Sequence, residues 1–113
     1  MYYVYVLRCC DSSIYCGYTT DVPHRFSAHL GIVPGGAKYT RSHKPVKCEI
    51  VWKTSRKESA LKLEAHFKKL AKIEKESLIT DPIKFETVFA GKLDDTEYER
   101  VPEYEHSFQE VRE

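Results

Sequence analysis

The sequence has no cysteine and histidine spacing of the kind that binds structural zinc. Its four cysteines form no CxxC pair, and neither an HExxH motif nor a zinc-finger pattern occurs. No apolar run reaches the length of a transmembrane helix, and the opening run YYVYVL has no basic segment before it, as a secretory signal would. We therefore expect no structural zinc, no signal peptide and no membrane partner, and we predict a reduced, cytoplasmic protein.

Internal repeats and low-complexity runs are also absent. The 113 residues suffice for about one domain with a modest core. The formal net charge is only +1, but residues 1–80 hold 14 Lys and Arg against 7 Asp and Glu, whereas residues 81–113 hold 4 against 10. This asymmetry predicts a basic domain over residues 1–80 that faces a polyanion, and an acidic C-terminal extension over residues 81–113.

The first half of the chain shows strand and helix signals in turn. Residues 2–8 and 13–18 are rich in Tyr, Val and Ile and flank the turn sequence CCDSS, which predicts a β-hairpin. Thr20 or Asp21 can cap a following helix that carries Pro23 in its first turn. Residues 31–45, with three glycines and two prolines, predict a long loop that has room for a short helical turn.

The second half of the pattern completes the expected fold. Residues 46–53 alternate, which predicts a half-buried strand with one apolar face made of Val46, Cys48, Ile50 and Trp52. An apolar stripe that includes Ala60, Leu63 and Phe67 predicts a helix, and a shorter helix is expected over residues 73–79. The fold class is therefore α/β, with a small three-stranded, mostly antiparallel sheet flanked by helices.

Several chemically capable residues fall at related places in these elements. Tyr5 and Tyr15 lie on the two strands of one hairpin, so they are opposite or diagonal to each other. Gly17 follows on the second strand, where a missing side chain permits close approach of backbone or ligand. Arg25 and His29 are four residues apart on the first helix and share one side of it. 

A further candidate lies on the later helix. Glu64 falls at the border of the apolar stripe, on the same side as Ala60 and Ala71. A carboxylate bordered by small residues at the edge of a core has room for a bound ion.

The order Tyr3-Val4-Tyr5, Tyr15-Cys16-Gly17, Arg25 and a helix-borne Glu64 resembles the GIY-YIG nuclease superfamily, over about residues 1–80. The segments GGAKYTR and KKLAKIEKESLI look like the small standalone bacterial members. The resemblance implies that Tyr5 and Tyr15 orient or deprotonate the attacking water and that Arg25 binds the scissile phosphate. His29 is a looser match among the catalytic residues, and Glu64 would hold Mg²⁺ or Mn²⁺.

Three features depart from the family pattern. YVY and YCG replace GIY and YIG, and Tyr18 stands where larger relatives often have a lysine. The sequence contains no asparagine, which relatives often use late in the domain. These departures concern activity more than fold.

The basic residues suggest a nucleic-acid surface. A basic, aromatic-bearing loop and a lysine-rich helix are typical of proteins that contact nucleic-acid backbones, although such a helix face also serves solubility. We predict a nucleic-acid partner, DNA in preference to RNA, contacted by Gly17, Lys38, Tyr39, Arg41 and Lys68. Structural explanations remain open: the tyrosines can pack a core, Glu64 can pair with Lys68, and Arg25 can be a solvated surface residue.

Three functions follow from these features. The first is metal-dependent hydrolysis of phosphodiester bonds in DNA or RNA. The second is a nucleic-acid-binding module with weak or lost catalysis, and the third is a protein-interaction scaffold that works through the acidic extension. Three states of the extension stay open: a frayed terminus, an added helix packed on the domain, or docking in which its acids mask the basic surface. The extension also contains apolar residues, too many for a purely solvating disordered tail: Leu93, Tyr98, Val101, Tyr104, Phe108 and Val111.

Overall fold

A single antiparallel sheet organises the protein. The computed structural model describes residues 1–108. Its strands are β1 (Tyr2–Cys9), β2 (Ile14–Thr19), β3 (Pro45–Thr54) and β4 (Glu99–Arg100). They are ordered β2-β1-β3-β4, and every neighbouring pair is antiparallel. The predicted α/β class is confirmed, but the predicted count of three strands is wrong, because residues 99 and 100 add a fourth strand beside β3.

Helices cover both faces of this sheet. They are α1 (Val22–His29), α2 (Lys38–Ser42), α3 (Lys57–Lys69), α4 (Lys72–Thr80) and α5 (Phe85–Val88), with 3-10 turns at Pro82–Lys84, Asp95–Glu97 and Pro102–Tyr104. The first core cluster joins the sheet to α3, α4 and α5. The second core cluster joins the opposite face to α1 and to the C-terminal residues Val101 and Phe108. No helix within residues 1–108 is both long enough and apolar enough to span a membrane.

Strand β1 lies between two strands and is buried on both faces. Val4 and Val6 belong to the first core cluster, whereas Tyr5 and Leu7 belong to the second. All four side chains have no exposed surface. Because successive residues of a strand point to opposite faces, this double burial explains why β1 shows no polar alternation.

Strand β3 differs from the simple alternation expected of it. The pairing with β1 shifts between Val6, which faces Ile50, and Leu7, which faces Cys48, so Glu49 is an extra residue in β3. Such a bulge reverses the alternation of side chains. Cys48 therefore packs in the second core cluster while Ile50 packs in the first, and Val51 is fully buried. The predicted half-buried strand is in fact a central strand with apolar contacts on both faces.

Helix α1 begins where the sequence indicated. The Asp21 side chain accepts a hydrogen bond from the backbone N–H of His24 at 3.1 Å, and Pro23 lies in the first turn. This cap fixes the start of the helix. Arg25 and His29 consequently project from α1 toward the face of the hairpin that carries Tyr5.

The described part of the acidic segment belongs to the fold. Phe85 and Phe89 are buried in the first core cluster, and Val101 and Phe108 are buried in the second. The Phe108 ring lies 5.2 Å from the ring of Phe26 on α1, centroid to centroid. Packing on the domain is therefore the observed arrangement for residues 81–108. Val111 lies outside the described residues.

This packing changes how the segment can be tested. Glu99 pairs with Lys53 at 3.0 Å, and Glu105 both pairs with Arg100 and accepts a hydrogen bond from the Val51 N–H. Truncation after Thr80 would remove these contacts together with core residues, so it would not leave the domain intact as the masking hypothesis requires. The division of the chain at residue 80 stays a prediction.

We predict that Phe89→Ala lowers the free energy of unfolding by about 3–5 kcal/mol, the usual cost of truncating a buried phenylalanine. Phe89 is 2% exposed, whereas the nearby Ile83 is 86% exposed. Ile83→Ala is therefore the control, with an expected change within about 0.5 kcal/mol. Urea denaturation measures both variants, and equal effects would contradict the packing described for residues 81–108.

Candidate active site

The candidate site is built around the buried phenol of Tyr5. Tyr5 lies on β1 directly opposite Gly17 on β2. A Cβ atom at position 17 would lie 2.6 Å from Tyr5 Oη and 2.8 Å from Tyr5 Cζ. Glycine is therefore required because the Tyr5 ring crosses the place where a side chain would stand. Gly17 serves this packing directly, while its predicted contact with nucleic acid stays a prediction.

A chain of hydrogen bonds extends from Tyr5 to α2. Tyr5 Oη lies 2.6 Å from His29 Nε2, and His29 Nδ1 lies 2.8 Å from Thr40 Oγ1. The Thr40 hydroxyl donates to the carbonyl of Ala37 at 3.0 Å, so its oxygen is free to accept the proton on His29 Nδ1. His29 Nε2 then accepts from the Tyr5 hydroxyl. These geometries assign a neutral His29 protonated on Nδ1.

The protonation states agree with this assignment. Burial raises the pKa of Tyr5, although the hydrogen bond from Arg25 opposes the increase. Burial, together with the charge of Arg25, lowers the pKa of His29 to about 4. At neutral pH the pair therefore consists of a protonated phenol and an uncharged imidazole.

Arg25 connects the buried pair to the surface. Its Nε donates to Tyr5 Oη at 3.3 Å, and its Nη1 donates to the carbonyl of Gly35 at 2.7 Å. Burial alone would lower the pKa of Arg25, but its interactions with Tyr5 and Tyr15 outweigh this effect and raise the pKa. The guanidinium is thus a fixed positive charge beside two phenols, held by contacts on either side.

Tyr15 is the tyrosine of the pair that solvent can reach. It is partly buried and stands opposite Leu7, so it is diagonal to Tyr5, with the two ring centroids 6.3 Å apart. Its ring also lies 5.2 Å from that of His29. Tyr5, Tyr15, Arg25 and His29 therefore lie together in the structure, while their catalytic roles stay predictions.

An aromatic column continues from Tyr15 across α2. The Tyr39 ring stacks on Tyr15 with centroids 5.8 Å apart, and His43 stacks on Tyr39 at 4.1 Å. His43 Nδ1 lies 2.6 Å from a carboxylate oxygen of Asp11 in the hairpin turn. Tyr39 is 37% exposed, and the predicted binding residues Lys38 and Arg41 are exposed on the same short helix.

Glu64 is on the other side of the sheet. It lies on α3, which packs in the first core cluster, and its charge adds to the burial that raises the pKa of Cys16 on β2. Cys16 directly follows Tyr15, so the two side chains point to opposite faces of β2. Since β2 is an edge strand, Glu64 and Tyr15 flank one edge of the sheet from its two faces.

The surroundings of Glu64 fit a hard divalent cation. Its side chain is 18% exposed, and Lys68 Nζ lies 3.3 Å from a carboxylate oxygen. Within residues 1–108 no three His, Cys, Asp or Glu side chains cluster as metal ligands. A single carboxylate suits Mg²⁺ or Mn²⁺, which retain several waters, and does not suit a soft metal that needs several protein ligands. Lys68, predicted to contact nucleic acid, is the ion-pair partner of this carboxylate.

Sequence reasoning missed two parts of the site. The hydroxyl oxygen of Thr40 accepts a hydrogen bond from His29 Nδ1, and the carbonyl of Gly35 accepts one from Arg25. Both belong to the segment between α1 and β3, where hydrophobic periodicity gives no positional information. Only the glycine content of that loop signalled a specific backbone shape.

Several known proteins resemble this chain in sequence. The protein-family model described as the GIY-YIG catalytic domain matches residues 1–77 of the sequence. A UPF0213 protein of Fusobacterium nucleatum is 45% identical over 84 residues, which are 74% of this chain and 82% of the relative. A UPF0213 protein of Natronomonas pharaonis is 40% identical over 80 residues, 71% of this chain and 92% of the relative.

One UPF0213 protein has a solved structure that resembles this chain. The solution NMR structure of a UPF0213 protein from Bacillus halodurans shares 38% identity, with a TM-score of 0.47. The match covers 81% of this chain and 99% of the Bacillus halodurans chain.

We predict that Gly17→Ala lowers the free energy of unfolding by about 1–3 kcal/mol, because the added methyl group overpacks against the Tyr5 phenol. In a Tyr5→Phe background the loss should be smaller, since the closest atom, Tyr5 Oη at 2.6 Å, is gone. A double-mutant cycle in urea measures the coupling, expected at about 0.5–3 kcal/mol for groups in contact. Strictly additive effects would show that position 17 does not accommodate the phenol.

Proposed function

The chain belongs to the GIY-YIG family, and we propose on that premise that it is a metal-dependent endonuclease that hydrolyses phosphodiester bonds, in DNA in preference to RNA. The observation that carries the proposal is the convergence of Tyr5, Tyr15, Arg25 and His29 at the edge of the sheet that Glu64 approaches from the other face. Phosphodiester hydrolysis needs an oriented water and positive charge beside the phosphate oxygens.

The two tyrosines take different parts in this proposal. Tyr5 has no exposed surface and its hydroxyl donates a hydrogen bond to His29, so we assign it to positioning Arg25 and His29. Tyr15 is partly exposed beside Arg25 and is the phenol that would contact the attacking water. A neutral His29 suits this division because it accepts the hydrogen bond from the Tyr5 hydroxyl without adding a second positive charge beside Arg25.

Arg25 and Glu64 supply the charges. The Arg25 guanidinium, held between Tyr5 and the Gly35 carbonyl, would bind the scissile phosphate. Glu64 would hold Mg²⁺ or Mn²⁺, which when bound supplies positive charge against the non-bridging and leaving oxygens. Lys68 neutralises Glu64 in the absence of a cation and would move away from it when the carboxylate binds one.

A nucleic-acid-binding module without hydrolysis is the second candidate. The complete lack of asparagine in the sequence favours it, since the family resemblance leads one to expect that residue late in the domain. The basic residues of α2 and α3 would serve such a module equally well.

We predict that Glu64→Ala and Tyr15→Phe each abolish cleavage while the fold is retained, and that Arg25→Ala costs on the order of 10²-fold, as for lost oxyanion donors. The assay uses branched, single-stranded and duplex DNA and RNA with Mg²⁺ or Mn²⁺, and EDTA as the blank. Glu58→Ala, an exposed carboxylate on the same helix, and Tyr18→Phe, on the same strand with its ring in the first core cluster, are the matched controls.

Each outcome selects one function. Undiminished cleavage by Glu64→Ala under the same metal would contradict the assigned mechanism. Binding without cleavage of any substrate would select the binding module. A protein that neither binds nor cleaves nucleic acid would favour the third function, the protein-interaction scaffold.

A further inference from the structure

The loop between α1 and α2 has a specified backbone shape. Gly31 and Gly35 have φ angles of +79° and +101°, which side-chain-bearing residues rarely adopt. Gly31 lies just after the C-terminus of α1, and its N–H donates to the carbonyl of Ala28 at 3.1 Å. The N–H of Ile32 donates to the carbonyl of Ser27 at 2.9 Å. The chain thus turns away from the helix in a fixed direction.

The far end of the loop is fixed as well. A Cβ at Gly36 would lie 2.5 Å from the carbonyl oxygen of Ala28, so the backbone returns directly against α1. The Gly35 carbonyl accepts from Arg25 Nη1. The loop is therefore held at both ends by α1, and the space beneath it is formed before any ligand binds.

This space is a groove of about 720 Å³, here called the loop groove, within the range of about 300–1,000 Å³ common for small-ligand sites. One wall is apolar and consists of Leu30, Ile32, Val33 and Pro34. Arg41 and Lys44 also line the groove. His29 and Thr40 also line it, so the hydrogen-bond chain of Tyr5 forms part of the wall.

The charges of the groove are uncompensated. Neither Arg41 nor Lys44 forms an ion pair with any acidic residue among residues 1–108, whereas Lys53 and Lys68 elsewhere on the surface are paired with glutamates. A groove lined by both apolar side chains and two cations without ion-pair partners among residues 1–108 complements a ligand with an anionic group and a flat apolar body. A nucleotide has both.

We propose that the loop groove receives an unpaired nucleotide of the substrate, with its base against Leu30 and Val33 and its phosphate at Arg41 and Lys44. This inference rests on the proposed function, because it places the nucleotide beside the Tyr5, His29 and Arg25 cluster. In a continuous duplex the bases are stacked and paired, so only a single-stranded or locally opened substrate offers a base to the groove. The groove thereby selects substrates that have unpaired nucleotides.

The test compares binding to a fluorescein-labelled oligothymidylate and to a blunt-ended duplex, by anisotropy in EDTA so that no substrate is cut. The double variant Arg41→Ala with Lys44→Ala should lose about 10-fold in affinity for the single strand, and its log-log salt slope should fall in magnitude by about 0.7, the value for one phosphate contact on a single strand. The double variant Lys57→Ala with Lys62→Ala makes the same change of charge on α3 and is the control, with a smaller loss expected.

A second measurement needs no polynucleotide. Titration of the wild-type protein with thymidine 5′-monophosphate should shift the backbone amide NMR signals of Gly35, Gly36 and Thr40. Inorganic phosphate should shift only signals near Arg41 and Lys44. Shifts at the glycines with the nucleotide alone support a base in the groove.

The outcomes separate this inference from the proposed function. Equal losses in the two double variants, equal losses for single strand and duplex, or unshifted glycine amides would overturn the groove as a nucleotide site while cleavage by the wild type continues. A wild-type protein that neither binds nor cuts nucleic acid would overturn the proposed function first, and the groove with it.

Discussion

The hydrogen bond from the buried Tyr5 phenol to His29 is the interaction on which the site depends. It requires glycine at position 17 for space, a fixed start of α1 for the position of His29, and Thr40 to hold the imidazole proton on Nδ1. An unpartnered phenol at this depth would cost several kcal/mol by transfer estimates, roughly 2–7. The hydrogen bonds from Tyr5 to His29 and from His29 to Thr40 therefore connect the hairpin, α1 and α2 within an otherwise apolar layer.

The sheet places the two halves of the proposed chemistry on either side of β2. Tyr15 and Arg25 occupy the α1 face, and Glu64 occupies the α3 face. Because β2 is the edge strand, a phosphodiester lying along that edge can contact both. The C-terminal segment supports this arrangement at a distance, since Phe108 packs against Phe26 and thereby backs the helix that carries Arg25 and His29.

The sequence predicted the elements whose signals are local. The hairpin follows from two runs of strand-forming residues around a turn sequence, and the Asp21 cap follows from capping chemistry. Helical spacing placed Arg25 and His29 on one side of α1, and the family resemblance joined them to Tyr5 and Tyr15. The fourth strand could not be predicted, because a strand of two residues within an acidic run has no alternation to detect. The bulge at Glu49 was equally hidden, since it appears only when β3 is paired with β1, and the Thr40 contact depends on how a loop returns to the helix.

The protonation of His29 tests the central claim most directly. Nitrogen-15 NMR of the imidazole, recorded from pH 7 down to pH 4, reports both the tautomer and the pKa. The account predicts a neutral ring protonated on Nδ1, with a pKa lowered by burial to about 4. The pKa of His29 is lower in the folded state than its ordinary value of about 6.5, so the unfolded state binds more protons below that pH. The free energy of unfolding should therefore decrease as the pH falls from about 6.5 toward 4. An Nε2-protonated tautomer, or titration near 6.5 in the folded protein, would contradict a buried Tyr5 phenol donating to His29.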